Sequence, residues 1–187
     1  MPLDGSEKRS MKTVTSPLRR AAVPVLAAGL LVTAFATPAA AQTPGSTAFR
    51  VFGNVFLSAR AGAVNNVTAV VVGGNLRLTD TSGIALGPGC STRVSATTVE
   101  CGAAGTVGRL SIGLGDLGDT FDGQSVSVRT VVDAGPGLDT SVRTGGGNDT
   151  IGVSDGVAGE QVTCGGGTDV VFRDAGDTIG ADCEVRY

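Results

Sequence analysis

The chain of 187 residues contains no histidine and no tryptophan, and its single tyrosine is its last residue, Tyr187. Its only lysines are Lys8 and Lys12, so the sequence from residue 42 onward has none. Without histidine the chain cannot form a Ser-His-Asp or Cys-His catalytic group, or a histidine-ligated zinc site. A carboxylate-only glycosidase or lyase remains compatible with this composition, although the aromatic platforms of a sugar-binding cleft are nearly missing. We therefore expect a protein that is not an enzyme, with the carboxylate-based hydrolase or lyase as the less favoured alternative.

The first 41 residues have the pattern of a secretory signal peptide. A basic segment ending in Arg19 and Arg20 precedes an apolar stretch over 21–36, and three alanines precede Gln42. The apolar stretch is shorter than the ~20 residues that a membrane-spanning helix needs. We expect cleavage before Gln42 and a secreted, extracellular protein with no membrane span after the leader is removed. The alternative is a retained N-terminal anchor.

The sequence after the leader consists of short aliphatic runs separated by Gly, Asn, Asp and Pro. Such runs, rich in Val, Thr and Ile and without helical periodicity, predict many short strands joined by tight turns, and hence an all-β fold. Residues 42–48 are predicted to form a flexible tail. Residues 49–112 contain the strand-like runs alone, and residues 113–187 add glycine–aspartate units. The sequence leaves open whether 49–112 continues the same structure or forms a separate small β module.

The charge of the chain is unevenly distributed. Residues 42–115 contain five arginines and two acidic residues, whereas residues 116–187 contain four arginines and 13 acidic residues. An acidic second half repels nucleic acid and attracts cations. We expect no nucleic-acid partner.

Four cysteines lie after the leader: Cys90, Cys101, Cys164 and Cys183. An even number of cysteines in an exported chain indicates disulfides. Three pairings are compatible with four cysteines, and the simplest joins Cys90 to Cys101 and Cys164 to Cys183. A metal–thiolate site is the weaker alternative, because the chain has neither a C-x-x-C motif nor histidine.

A glycine-rich turn followed by an aspartate recurs at intervals of about ten residues. Two units, near residues 129 and 159, lack the aspartate. A strand and turn of this length cannot bury an apolar face alone, but they can when stacked in a coil with two units per turn. Units of the same parity then lie above one another. This places Asp119 under Asp139 on one side of the coil and Asp149 under Asp169 on the other.

Each unit combines the groups that a hard cation prefers. The glycines allow positive φ and bring carbonyl oxygens together, and the aspartate supplies charge. Two positions later comes a residue that faces inward: Phe121, Ile151, Val171 and Ile179 fit this position, and Ser141 does not. The predicted ion is Ca²⁺, and its predicted ligands are Asp119, Asp139, Gly145, Gly147, Asp149, Gly165, Gly167, Asp169 and Asp177.

Residues 145–151 (GGGNDTI) and 165–171 (GGGTDVV) resemble the RTX, or hemolysin-type, calcium-binding repeat, G-G-x-G-x-D-x-U-x with U aliphatic. The tail of the chain, from Cys164 to its Ala-Asp-Cys-Glu end, also resembles short secreted actinobacterial proteins of this type. The resemblance implies a right-handed parallel β-roll or β-helix, which is a β-solenoid with short strands and Gly-rich turns. It also implies that calcium is held between stacked turns by the aspartates and by backbone carbonyls.

The repeats depart from the family pattern in two ways, because the spacing is ten rather than nine residues and two units lack the aspartate. The alternative to a calcium-binding protein is therefore a metal-independent, disulfide-stapled β-solenoid with a structural or surface-interaction role. We expect a monomer, and the sequence identifies no protein or cell-surface partner.

Overall fold

Short runs of alternating inward and outward residues form two β-sheets of eight strands each in the computed structural model, which describes residues 42–187. This part of the chain contains sixteen strands, a 3₁₀ turn over Ala104–Thr106 and no α-helix. The expected all-β fold is confirmed, and both sheets mix parallel with antiparallel pairs. The predicted leader lies outside the described residues.

The strands before the 3₁₀ turn form hairpins. They are β1 (Ser46–Val51), β2 (Asn54–Ala59), β3 (Asn66–Val72), β4 (Asn75–Asp80), β5 (Ile84–Leu86), β6 (Thr92–Arg93) and β7 (Thr98–Ala103). In the first sheet β1 and β2 form an antiparallel hairpin, and β5 pairs with β1. In the second sheet β3 and β4 form another hairpin, which β7 and β6 extend.

The strands after the 3₁₀ turn alternate between the two sheets. They are β8 (Arg109–Gly113), β9 (Thr120–Asp122), β10 (Thr130–Asp133), β11 (Ser141–Arg143), β12 (Thr150–Gly152), β13 (Gln161–Thr163), β14 (Val170–Phe172), β15 (Thr178–Ile179) and β16 (Val185–Arg186). Each strand from β8 to β14 pairs in parallel with the strand two places further along the chain. In the first sheet the residues in register on successive strands are Ile112, Val132, Ile151 and Val171. Two units therefore separate stacked positions, as the spacing of the aspartates predicts.

The N-terminal hairpins continue the same two sheets. Strand β2 pairs in parallel with β8, and β3 pairs in parallel with β9. The question that the sequence leaves open for residues 49–112 is thus answered in part: they share both sheets with the repeats, but they join them as hairpins rather than as further units.

One hydrophobic core contains the inward residues of both sheets, including Leu57, Leu78, Leu110 and Phe121. Phe121, Ile151 and Val171 are buried as predicted. The unit of Asp139 has one extra residue before its strand, so Val142 rather than Ser141 is buried. Ile179 is only half-buried, because it lies in the last strand of the second sheet.

The first strand begins at Ser46, so the tail predicted for residues 42–48 is shorter in the structure. Ser46 and Ala48 point inward and are buried, and the strand pairs with β2 along its whole length. The low hydrophobicity of this segment, which suggested a tail, reflects small residues at inward positions.

Both disulfides join cysteines that are close in sequence. Cys90 is bonded to Cys101 and Cys164 to Cys183, and the described residues contain no free cysteine. The simplest of the three pairings is therefore confirmed. A loop of this size typically stabilises a fold by about 3 kcal/mol when it is closed.

The turns of the repeats stack so closely that some positions accept only glycine. A Cβ atom on Gly167 would overlap the carbonyl oxygen of Gly147, and Gly167 has φ +140. The neighbouring Gly166 has open space where a Cβ would be, and its φ lies outside the positive range. A methyl group therefore fits at Gly166 but not at Gly167.

We expect Gly167→Ala to destabilise the protein by about 1–3 kcal/mol, because the new methyl group must displace backbone atoms. Gly166→Ala is the matched control and should change the free energy of unfolding by no more than about 0.5 kcal/mol. Denaturant unfolding of both variants checks this. Equal stabilities would mean that the turns are not stacked as described.

Candidate functional site

The strands of the repeats are connected at two edges of the molecule. Turns from the first sheet to the second lie at residues 114–119, 134–140, 153–160 and 173–177, on the side that we call the first edge. Turns in the opposite direction lie at residues 123–129, 144–149, 164–169 and 180–184, on the second edge. The predicted metal-binding residues all lie in these turns.

A column of acidic residues runs along the first edge, and we call it the first carboxylate ladder: Asp119, Asp139, Glu160 and Asp177. The backbone N–H of Asn65 donates to Asp119 Oδ1 at 2.7 Å, and the N–H of Asp119 donates to Asp139 Oδ1 at 2.8 Å. Further along, the N–H of Gly159 donates to Asp177 Oδ1 at 3.0 Å. Each aspartate therefore accepts a hydrogen bond from the preceding coil, and Asp119 lies next to Asp139 as predicted.

The second carboxylate ladder, on the second edge, consists of Asp149, Asp169 and Glu184. The N–H of Thr130 donates to Asp149 Oδ1 at 2.7 Å, and the N–H of Asp149 donates to Asp169 Oδ1 at 2.7 Å. The N–H of Asp169 donates to Glu184 Oε2 at 2.8 Å. The predicted neighbours Asp149 and Asp169 are thus in direct contact.

Both ladders leave carboxylate oxygens buried without a partner. Asp119, Asp149 and Asp169 are at most 1 % exposed, and the Oδ2 atom of each has no hydrogen-bond partner within the described protein. Asp80 Oδ2, near the start of the first ladder, is in the same situation. A buried charge without a partner is costly, so these oxygens require either a proton or a cation.

Burial raises the pKa of Asp119 to about 6 and that of Asp139 to about 7, although each carboxylate accepts a backbone hydrogen bond that lowers the pKa. Burial also raises the pKa of Asp149 and of Asp169. The negative charge of Asp169 adds to the effect on Asp149, and that of Glu184 adds to the effect on Asp169. These four aspartates of the ladders therefore resist ionisation.

Asp177 differs from the other predicted ligands. Burial raises its pKa, but the hydrogen bonds that it accepts from backbone N–H groups oppose burial, and the pKa is lowered overall. Its Oδ2 accepts from the N–H of Asp174 at 2.8 Å, so both of its oxygens are occupied. Burial raises the pKa of Glu160 to about 7, and neither of its carboxylate oxygens has a hydrogen-bond partner within the described protein.

The predicted glycine ligands lie in stacked turns of the second edge. The carbonyl oxygen of Gly145 lies against Gly165 and accepts a hydrogen bond from the N–H of Gly166 at 2.8 Å. The carbonyl of Gly147 lies against Gly167. The carbonyls of each turn thus point toward the next coil, on the same edge as the second carboxylate ladder.

The sequence analysis missed Glu160 and Glu184, which take the place of aspartates in the ladders. Glu160 lies in the unit that lacks an aspartate near residue 159, so the spacing itself could have identified it. Carboxylates nearer the surface were also missed as linking groups: Asp155 Oδ2 accepts from the N–H of Gly137 at 2.6 Å, and Asp174 Oδ2 accepts from the N–H of Asp155 at 2.7 Å.

A surface cavity of about 420 Å³ is lined by Asp133, Asp155 and Phe172, among others. Its two acids are the kind of pair that a carboxylate-based glycosidase would need. Both oxygens of Asp155 accept backbone hydrogen bonds, one from Gly137 and one from Val157, at 2.6 and 2.7 Å. Both carboxylate oxygens of Asp155 are thus committed to hydrogen bonds within the turns.

Compared with known proteins, the chain matches no family model, no curated protein and no solved structure at a significant level. Among residues 42–187, no three or more side chains of Asp, Glu, Cys or His are grouped as they would be around a metal ion. None of the helical segments in that range is long and apolar enough to cross a membrane.

The raised pKa values predict that stability depends on pH when divalent cations are removed. A carboxyl group whose pKa is higher in the folded protein contributes stability below its unfolded pKa of 3.8, and this contribution is lost as pH rises through the folded value of about 6–7. In a chelator, we expect the Tm to fall by several degrees between pH 5 and pH 8, since about 1 kcal/mol corresponds to ~2–4 °C in a protein of this size. Asp177 acts in the opposite sense, but only near and below pH 4.

Asp139→Asn is the informative variant, because the amide keeps an acceptor oxygen but cannot ionise. Its Tm should decline less between pH 5 and pH 8 than that of the parent protein. Asp133→Asn, which changes an exposed carboxylate, is the control. A parent Tm that rises over this pH range would contradict the burial of ionisable groups in the ladders.

Proposed function

We propose that the protein is a secreted, non-catalytic calcium-binding β-solenoid of the RTX type. The observation that carries the proposal is the pair of buried, unpartnered oxygens, Asp149 Oδ2 and Asp169 Oδ2, on neighbouring turns. The two residues are hydrogen-bonded to one another, so their carboxylates lie one coil apart. A hard divalent cation would neutralise both groups near neutral pH.

The dimensions of stacked strands suit such an ion. Neighbouring strands lie about 4.8 Å apart. Two oxygens on opposite sides of one calcium ion, each at the usual Ca–O distance, are about 4.6–5.2 Å apart, so the two spacings match. The ligands in this proposal are Asp149 and Asp169, with carbonyl oxygens of Gly145, Gly147, Gly165 and Gly167. Because calcium takes six to eight oxygens, backbone carbonyls and water must supply most of the ligands.

The first edge offers a second set of ligands. Asp119 and Asp139 are linked in the same way as Asp149 and Asp169, and Asp119 Oδ2 also lacks a partner. Asp177 is the weakest of the proposed ligands, because both of its oxygens already accept hydrogen bonds. We therefore expect the tighter binding at the second edge.

The fold supports the solenoid part of the proposal. Strands β8 to β16 alternate between the sheets and pair in parallel at intervals of about 20 residues, which is the register of a coil with two strands per turn. The right-handed β-roll follows from the resemblance to RTX repeats. Export is supported by the two disulfides, which form in oxidising compartments.

The absence of catalysis is part of the proposal for two reasons. The chain has no histidine, and its acidic pairs are unsuitable for attacking a substrate. Glu160 is 1 % exposed, which keeps the pair that it forms with Asp177 away from any substrate. The pair Asp133 and Asp155 lines a cavity, but Asp155 is held by the backbone.

The second candidate is a structural or surface-interaction protein that needs no metal. One observation favours it: disulfides close loops in both halves of the chain and stabilise the fold without a metal. The Tm of such a protein would be unchanged in a chelator and would fall when the disulfides are reduced.

Calorimetry and thermal unfolding with calcium separate the two candidates. At pH 7.5, we expect binding in the range of about 10⁻⁴–10⁻³ M that is typical of extracellular modules. Calcium at 100 times the dissociation constant should stabilise the fold by about 2.7 kcal/mol, and the Tm should rise by several degrees. Magnesium, which demands a tighter octahedral site, should have a smaller effect.

The double variant Asp149→Asn with Asp169→Asn keeps the acceptor oxygens and removes the charge. It should lose most of the calcium response while it remains folded. The matched control is Asp133→Asn, which should respond to calcium like the parent. A parent Tm that is insensitive to calcium and to chelator, but falls on reduction, would reject the first candidate and favour the second.

A further inference from the structure

The two N-terminal hairpins present apolar residues at their tips, on the second edge of the molecule. Both hairpins have two-residue turns, Phe52–Gly53 between β1 and β2 and Gly73–Gly74 between β3 and β4. We call the exposed residues Val51, Phe52, Val71 and Val72 the tip surface. Each is 41 % exposed or more, and Phe52 is 99 % exposed.

Phe52 is unfavourable for the fold in two respects. Its φ is +47, in the left-handed region that glycine and asparagine adopt most readily, whereas the other hairpin has glycine at the same position of its turn. Its ring is fully exposed and makes no packing contact in return for this strain. A residue that costs backbone strain and apolar exposure is explained by a contact outside the molecule.

The two tips lie side by side. The segment that contains the 3₁₀ turn connects them, since the N–H of Ala104 donates to Gly74 O at 2.8 Å and the N–H of Gly108 donates to Gly53 O at 3.0 Å. The aliphatic residues of one hairpin and the aromatic ring of the other therefore belong to one surface. A shallow, open pocket of about 280 Å³ borders the second tip, lined by Val71, Ala104, Gly105, Ser125, Ser127 and Val128.

The surroundings of the tip surface carry uncompensated positive charge. The guanidinium of Arg50 donates only to neutral groups, the carbonyls of Cys101 and Thr106 and the Thr106 hydroxyl. Arg109 lies opposite Asn54 at the base of the first hairpin, with its guanidinium 5.9 Å from the centre of the Phe56 ring. Arg129 directly precedes strand β10 and is exposed, and its carbonyl oxygen accepts a hydrogen bond from the N–H of Leu110.

Within residues 42–187, no acidic side chain forms a salt bridge with Arg50, Arg109 or Arg129. The exposed acid Asp122 lies beside Thr68 of the second hairpin, and Asp149 accepts the N–H of Thr130. Asp80 is the one acidic residue in the sequence from 46 to 80, and it is buried at the far end of its strand from the tip. Glu100 is paired with Arg77 at 2.6 Å. The tip surface is thus apolar at its centre and basic at its rim.

We propose that the tip surface docks peripherally on an anionic lipid bilayer, with Phe52 and the three valines inserted at the interface and the arginines paired with lipid phosphates. The tip surface consists of four apolar side chains, whereas a stable protein interface takes about 20–30 residues from each partner. Aromatic and aliphatic side chains beside basic residues suit the bilayer interface, where apolar groups enter the lipid and arginines bind phosphate.

A tryptophan at the tip reports insertion directly, because the chain has no other tryptophan. The mature chain from Gln42 carrying Phe52→Trp is mixed with vesicles of phosphatidylglycerol and phosphatidylcholine, in a chelator so that calcium cannot bridge protein and lipid. We expect a blue shift of the emission with these vesicles and little shift with phosphatidylcholine alone. Val94→Trp, an exposed position away from the tip surface, should show no shift with either.

Vesicle sedimentation measures the contribution of the natural residue. Phe52→Asn should lower the partition coefficient by on the order of tenfold, while its Tm stays the same or rises because asparagine tolerates positive φ. Arg129→Gln should weaken binding several-fold and reduce its dependence on salt. Val94→Asn is the matched control and should bind like the parent protein.

Several outcomes would overturn the proposal. One is the absence of an emission shift for Phe52→Trp, and another is equal sedimentation of Phe52→Asn and the parent. Equal binding to neutral and anionic vesicles would exclude the charge-dependent docking. Self-association of the parent that Phe52→Asn abolishes, without vesicle binding, would assign the surface to a second copy of the chain instead.

Discussion

The hydrogen bond from a backbone N–H in one turn to a carboxylate in the next coil determines how the repeats of this protein stack. Where the chain enters a strand after a turn, the N–H groups of Asp119, Thr130 and Asp149 donate to the carboxylates of Asp139, Asp149 and Asp169. A charged acceptor makes such a bond roughly twice as strong as a neutral one. Its short side chain also fixes the distance between coils, and that distance leaves room only for glycine at Gly167.

The hydrogen bond alone does not require a charged residue. Nearer the surface, the uncharged side chain of Asn148 accepts the N–H of Thr168 at 3.0 Å across the same coil spacing. The buried positions nevertheless carry aspartates, whose second oxygens are left without partners and whose pKa values burial raises. Since asparagine would supply the bond without this cost, the charge is best explained by a second task at the same residues. Binding a cation is such a task, because the cation would neutralise carboxylates whose burial otherwise opposes their ionisation.

The sequence predicts the repeats better than it predicts their exceptions. The ten-residue period correctly places Asp119 beside Asp139 and Asp149 beside Asp169, because a coil with two units per turn converts spacing into contact. It misses Glu160, which is not an aspartate and which follows Asp139 by 21 rather than 20 residues. The hairpins of residues 46–80 follow no period, so their pairing with β8 and β9 depends on tertiary contacts that no local pattern encodes. The strained Phe52 breaks the rule for hairpin turns and is visible only once the turn is known.

The N-terminal hairpins and the repeats differ in strand length and in charge. Strands β9 to β16 have four residues or fewer, which is enough to bring turns close together at both edges but too short to project side chains beyond them. Strands β1 to β4 have six or seven residues. Strand β3 continues beyond Thr68, its last residue paired with β9, whereas the first hairpin extends beyond β8 only by its Phe52–Gly53 turn. The charge follows the same division, with arginines near the tips and acidic residues in the turns of the repeats. On an anionic surface this asymmetry would orient the molecule with its hairpins toward the surface, and calcium in the acidic turns would reduce the repulsion of the remainder. The two proposals therefore concern separate properties, and cation binding would reinforce surface docking through charge.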